Sequence, residues 1–274
     1  MPGLLIEAAD TTNRRPVVIV MHGTGGRKED ERSWLLRLAV KGFVAVAIDG
    51  RYHGERAAVG HGSESYQAAI VRAWKSGGEH PLFYDTVWDI MRLVDYLQTR
   101  ADVDAGRIGL AGISKGGVET YLAAAADRRI AVAAPFIGVQ SFHWALVNND
   151  WQGRIGTIQG AFNTIVKTEG VTNADSAFVQ KFYDRLTPGI YSEFDGPQMM
   201  PLIAPRPLLI VNSDGDNHCP LPGVMECIAT TQSAYHAAQA DDHLKVIIQR
   251  NSGDQVKPES GQAMIDWLVK WLKP

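Results

Sequence analysis

Ser114 has the setting of a nucleophile. It stands in Gly112-Ile113-Ser114-Lys115-Gly116-Gly117, after an apolar run at 107–111 and before an alanine-rich segment at 114–126 that reads as a helix. A G-x-S-x-G at a strand-to-helix junction is a sharp turn that lifts the serine hydroxyl above the end of a sheet. The helix start leaves backbone N–H groups nearby, and the glycines let neighbouring backbone pass close to Ser114. A glycine-rich phosphate turn is the competing interpretation, and the junction favours the nucleophile.

His22-Gly23-Thr24-Gly25-Gly26 directly follows the first long apolar run. A loop there can offer a backbone N–H to a developing oxyanion. The Thr24 N–H is one candidate donor and the Lys115 N–H the other, with His22 and Gly23 shaping the loop. A dinucleotide loop would need glycine at position 28, which is Lys28, and no G-x-x-x-x-G-K-[ST] occurs. Acyl chemistry therefore ranks above phosphoryl or hydride transfer. A serine nucleophile also needs a base, and the base an orienting acid. Asn212-Ser213-Asp214-Gly215-Asp216-Asn217-His218-Cys219-Pro220 follows a later apolar run and supplies carboxylates. Asp216 is the first choice for the acid and Asp214 the second; either could instead cap a turn.

These residues need a frame. Continuous apolar runs at 17–21, 43–48, 107–111, 130–134, 207–211 and 244–248 read as buried strands. Helical periodicity marks segments around Trp34–Leu38, Val87–Leu97, 114–126, 222–240 and Met264–Leu272. The alternation predicts an α/β fold with a mostly parallel sheet of six to seven strands and helices on both faces. One interval, about 140–205, is too long for a crossover and carries Trp144, Trp151, Phe162, Phe178, Phe182 and Tyr183. It is expected to form a helical cap over the carboxyl ends of the strands, where open α/β sheets bind ligands.

Composition narrows the classes. The 274 residues fit one domain with an insertion, so 1–274 is expected to be a single domain. A net charge of −3, from 27 basic and 30 acidic residues, implies no basic face for nucleic acid. No apolar run reaches the roughly 18 residues of a membrane span, and MPGLLIEAADTTNRR lacks the form of a secretory signal. Cys219 and Cys227 form neither a disulfide framework nor a zinc motif. The cytoplasm is the expected location.

From HGTGG at 22–26, DGRYHGER at 49–56, GISKGG at 112–117, SDGDNHCP at 213–220 and SGDQVKPE at 252–259, the chain resembles the dienelactone hydrolase and acetyl xylan esterase-like branch of the α/β-hydrolases, related to prolyl oligopeptidases. The resemblance implies an α/β-hydrolase fold and a Ser–His–Asp triad, with Ser114 as nucleophile and Asp216 as acid. Such sheets usually begin with two more strands, but about 15 residues precede Val17, so at least one is missing or short. The family also carries Gly-His-x-x-x-Pro after the last strand, and that histidine is the base. Here the segment is Gly253-Asp254-Gln255-Val256-Lys257-Pro258, with Asp254 in the histidine's place.

Asp254 is a poor proton acceptor at neutral pH, since a free carboxylate has a pKa of about 3.9 against about 6.5 for imidazole. Three accounts follow: an introduced change in a serine hydrolase, a natural aspartate with a substitute base or different chemistry, or a binding protein that has lost catalysis. His22, His53 and His218 are the possible substitute bases. His22 and His53 are expected to shape loops, and His218 to turn away from Ser114. The Lys115 side chain is expected to be exposed or to touch substrate. Trp144 and Trp151 either line the pocket or pack the cap. The expected activity is hydrolysis of a small carboxylic ester through an acyl-enzyme, without metal or organic cofactor. The alternatives are lyase, acyltransferase or C–C hydrolase chemistry, or non-catalytic small-molecule binding.

Overall fold

The computed structural model of the chain describes residues 1–8, 13–58 and 62–273. His61, one of the eight histidines, lies outside the described residues. The apolar runs are strands, and they alternate with helices. In chain order they begin with β1 (Gly3–Ile6), β2 (Arg15–Met21), α1 (Arg32–Val40) and β3 (Val44–Ile48). Next come α2 (Ser63–Ser76), α3 (Tyr84–Thr99), β4 (Val103–Ile113), α4 (Lys115–Ala126) and β5 (Ile130–Phe136). Five short helices follow: α5 (Phe142–Val147), α6 (Gln152–Gly156), α7 (Gln159–Thr168), α8 (Ser176–Leu186) and α9 (Gly196–Met199). The chain closes with β6 (Leu208–Ser213), α10 (Leu221–Ala237), β7 (Leu244–Gln249) and α11 (Pro258–Leu272).

The seven strands stand in the order β1-β3-β2-β4-β5-β6-β7. Only β1 runs antiparallel, pairing with β3 from Gly3↔Ile48 to Ile6↔Ala45. It is the strand that the apolar-run pattern did not mark: GLLI is short and only half-buried at a sheet edge. One further N-terminal strand of the family pattern is absent among the described residues.

The side-chain alternation of β2 shows how the layers form. Val17, Ile19 and Met21 face a core built with α2, α3, α4, α10 and the inserted helices. Val18 and Val20 face a second core built with α1 and α11. Helices on both faces explain why the strands read as unbroken apolar runs. Helix α2 was also not marked, although Tyr66, Ala69, Ile70, Ala73 and Trp74 form its buried stripe. It carries the inserted helices: Trp74 stacks on Phe182 at 6.1 Å and meets Phe178 at 6.2 Å. Phe162 continues the cluster to Trp151, Phe178 and Phe182.

Candidate active site

Ser114 ends β4 and opens α4 with φ 55° and ψ −112°. A non-glycine residue in this region is strained and persists only where its surroundings fix it. Its N–H donates to the Phe136 carbonyl at 2.8 Å, and its own carbonyl accepts from Gly117 and Val118. The packing explains the glycines. A Cβ on Gly116 would lie 2.4 Å from the Met21 carbonyl oxygen, and one on Gly138 would lie 2.4 Å from the Ser114 carbonyl oxygen. Backbone of β2, β5 and α4 therefore converges on the turn, and only glycine fits there.

The loop after β2 passes over the same turn: a Cβ on Gly23 would be 3.6 Å from Ser114 Cβ. Gly23, Thr24 and Ser114 line one cavity of about 760 Å³. At the first position of α4 the Lys115 N–H has no intrahelical carbonyl to bond. The loop is pinned by His22. Its Nδ1–H donates to the Gly23 carbonyl at 2.7 Å, and its Nε2 accepts the Gly50 N–H at 2.9 Å. Both ring nitrogens are thus engaged, and burial with the nearby Lys115 charge lowers the pKa to about 4. His22 shapes the loop and is unavailable as a base. His53 is equally removed: its Nδ1 meets the Arg51 carbonyl at 2.9 Å, and burial above all, with Lys115 and His22, lowers its pKa to about 2.

The Lys115 side chain corrects the expectation of exposure. It is buried, with 1% of its surface accessible, and pairs with Glu119 one turn along α4. Its ammonium also lies 5.5 Å from the Tyr66 ring centroid. Trp144 is not among the cavity-lining residues. It packs beside Gly223 at the start of α10, and its N–H caps onto Ser141 Oγ at 3.0 Å. Trp151 packs in the aromatic cluster of the inserted helices, its Nε1–H donating to Asn149 and Ser176. The aromatic residue that does line the cavity is Trp34, on α1, and the inserted segment contributes Gly156 and Thr157.

The loops after β6 and β7 complete the wall. Asp214 accepts the N–H groups of Asn251 and Ser252 and so clasps the two loops together. Asp216 is buried; its Oδ1 accepts the His218 N–H at 2.9 Å, and its Oδ2 has no hydrogen-bond partner among the described residues. Burial raises the Asp216 pKa. Asp254 is exposed, and proximity to His218 lowers its pKa.

His218 overturns the expectation that it turns away. It lines the same cavity as Ser114 and Asp254, and it is the one histidine among the described residues that does. Its Nδ1 lies 3.2 Å from Asp254 Oδ2 and 3.5 Å from Asp216 Oδ1, close to both but in hydrogen-bond line with neither. The ring therefore sits between two carboxylates, with Nδ1 toward them. The signal was available: His218 is two residues from Asp216 in the sequence.

A sequence model of the acetyl xylan esterase (AXE1) family matches residues 2–148, just over half of the chain. The chain belongs to the acetyl xylan esterase family. It is a serine esterase-type hydrolase with the α/β-hydrolase fold. The protein YtaP of Bacillus subtilis (strain 168) is 24% identical over 284 residues, covering 99% of this chain and 83% of that protein. Among solved structures, the acetyl xylan esterase from Paenibacillus sp. R4 superposes with a TM-score of 0.69 at 22% identity, over 98% of this chain and 79% of that one. Acetyl xylan esterase 1 from Thermoanaerobacterium sp. JW/SL YS485 gives 0.68 at 17% identity, over 98% and 78%. No helix among the described residues is long and apolar enough to cross a membrane. The family match spans the Ser114 turn and the loop after β2, and it ends before the β6 and β7 loops.

Proposed function

We propose that the chain hydrolyses small neutral carboxylic esters through an acyl-enzyme on Ser114, with His218 as proton acceptor and Asp254 and Asp216 as its carboxylate partners. The observation that carries this reading is the shared cavity: Ser114 and His218 both line it, and Nδ1 of His218 faces two carboxylates. That leaves Nε2 as the nitrogen to serve the serine. In the usual arrangement the histidine follows the last strand and the acid follows the one before. Here the histidine at 218 and the aspartate at 254 exchange those loops, so Asp254 is the acid of a rearranged triad rather than its base.

The steps follow. Nε2 takes the Ser114 proton as Oγ attacks the ester carbonyl, and the Thr24 and Lys115 N–H groups hold the oxyanion. The tetrahedral intermediate collapses, and the imidazolium returns the proton to the departing alcohol. Water enters, gives a proton to Nε2 and attacks the acyl carbonyl; collapse releases the acid and restores Ser114. Asp254 and Asp216 favour the imidazolium in both halves. No hydrogen bond joins His218 to Ser114 among the described residues, and such contacts in ligand-free sites often close only with substrate. The cavity suits a neutral substrate: apart from His218 and Asp254, it is lined by Trp34, Ile113, Ile137 and Val256 with Ser63 and Thr157, and no Lys or Arg side chain lines it among the described residues.

Hydrolysis of p-nitrophenyl acetate and butyrate across pH 5 to 9, with His218→Ala and Asp254→His beside the parent chain, tests the reading. The parent should turn over and label with a fluorophosphonate, and His218→Ala should lose both. If His218→Ala keeps full rate, or Asp254→His gains several orders of magnitude, His218 is not the base. If the parent neither turns over nor labels, ester hydrolysis itself falls.

A further inference from the structure

One carboxylate is enough to orient a triad histidine, yet this site has two. The ligand-capable atoms of Asp216, His218 and Asp254 all lie within 4.8 Å of one another. Two pairs are tighter, at 3.2 and 3.5 Å, close to the roughly 3.3 Å between ligands about 2.0 Å from a tetrahedral zinc ion. A second feature is independent of that clustering. Asp216 is 3% exposed, its side chain fully buried, and its Oδ2 has no partner. Nδ1 of His218 is likewise buried without hydrogen-bond geometry to either neighbour. A buried carboxylate oxygen left unsatisfied is costly. The buried Arg154 does not relieve it: its guanidinium donates to Gln140 Oε1 and Cys219 Sγ.

We propose that Asp216, His218 and Asp254 form a binding site for a divalent first-row cation of the zinc type, and that the bound ion switches the esterase off. Imidazole with two carboxylates is a donor set such ions accept, with water completing the shell. The switching follows from the ring's tautomer and rests on the reading of His218 as base. In the active state Nδ1 carries the proton and Nε2 is bare. A cation on Nδ1 takes that lone pair, and the ring proton moves to Nε2. Nε2–H cannot accept the Ser114 proton, so acylation stops while the fold and the Ser114 turn are untouched. No proton is gained or lost by the site.

Zinc chloride titrated into the metal-free full chain, followed by calorimetry and by p-nitrophenyl acetate turnover, decides the matter. One zinc ion should bind per chain, with turnover falling at least tenfold as the site fills and returning when EDTA is added. Asp254→Asn and Asp216→Asn should each weaken binding at least tenfold; circular dichroism confirms that they fold, and exposed Asp254 keeps the test alive if buried Asp216 does not tolerate change. Ser114→Ala should bind zinc as the parent does. That result separates the two ideas, because zinc binding by a chain without its nucleophile does not depend on ester hydrolysis. The proposal is overturned by no stoichiometric binding up to 1 mM zinc, by binding that survives Asp254→Asn unchanged, or by stoichiometric binding that leaves turnover intact.

Discussion

On one side of the cavity Ser114, Gly23 and Thr24 are placed by backbone; on the other, His218, Asp216 and Asp254 are placed by side chains on two loops. The first side is fixed by close approaches that exclude any Cβ, at Gly116 and Gly138, and by a buried histidine whose two nitrogens are both used. The second is looser. Asp214 clasps its two loops, but the three functional groups sit at contact distance without ideal hydrogen bonds, and Asp254 is exposed. The backbone side leaves little freedom in which residue does what. The side-chain side leaves more freedom.

The largest effect should come from the side fixed by backbone. Ser114→Ala should reduce ester hydrolysis about 10⁶-fold and abolish fluorophosphonate labelling, with the thermal midpoint close to the parent's. Loss of labelling with retained turnover would mean that another group is the nucleophile.

The other side should show a graded loss. His218→Ala should approach the Ser114→Ala floor, and the double variant should be hardly worse than either, because the two act as a unit. Asp254→Asn should cost less, about 10³–10⁴-fold, since Asp216 still faces Nδ1. Steady-state rates with p-nitrophenyl acetate check the order. Equal losses for Asp254→Asn and His218→Ala would show that Asp216 gives the ring no support.

The same difference explains what could be read from the residues alone. The Ser114 turn, the close approach of the loop after β2 and six of the strands were legible, because glycine spacing and apolar runs encode backbone directly. Strand β1 was not, being four half-buried residues at an edge. Helix α2 carried its stripe, but its main partners are the inserted helices, which a local pattern does not reveal. Lys115 was misjudged because a lysine is rarely buried, and Glu119 one turn on makes this one an exception. The orientation of His218 was misread for a different reason. Spacing along the chain ties Asp216 to its loop, but whether His218 turns toward Asp254 depends on two loops 36 residues apart. No period or motif records that distance.

A glycine pair separates the rigid wall from the inserted segment on a smaller scale. Gly116→Ala puts a methyl group against the Met21 and His22 carbonyls and should destabilise the chain by about 3 kcal/mol, with activity falling as the turn shifts from the loop. Gly156→Ala, in the inserted segment lining the same cavity, meets nothing within 4 Å and should stay within about 0.5 kcal/mol of the parent. Urea unfolding of both variants makes the comparison. Similar losses at the two positions would contradict the difference in constraint.

The smallest effect concerns acid, and it again marks the backbone side. His22 and His53 are neutral in the fold, with pKa values lowered to about 4 and about 2, first by burial and then by the Lys115 charge. An unfolded histidine titrates near 6.5. Between these values the unfolded chain binds more protons than the folded one, so stability is full above pH 6.5 and falls as pH drops below it. Each histidine contributes up to about 1.4 kcal/mol per pH unit, so the step from pH 6.5 to 5.5 should cost roughly 2 kcal/mol. His53→Gln should halve that slope, because it removes one of the two without touching the His22 bonds to Gly23 and Gly50. Urea midpoints at half-unit intervals from pH 7.5 to 5 give the slope. Protonated His22 would direct an N–H at the Gly50 N–H that it now accepts, so the oxyanion loop should loosen in the same range. A slope unchanged in His53→Gln would show that His53 takes no part in the acid response.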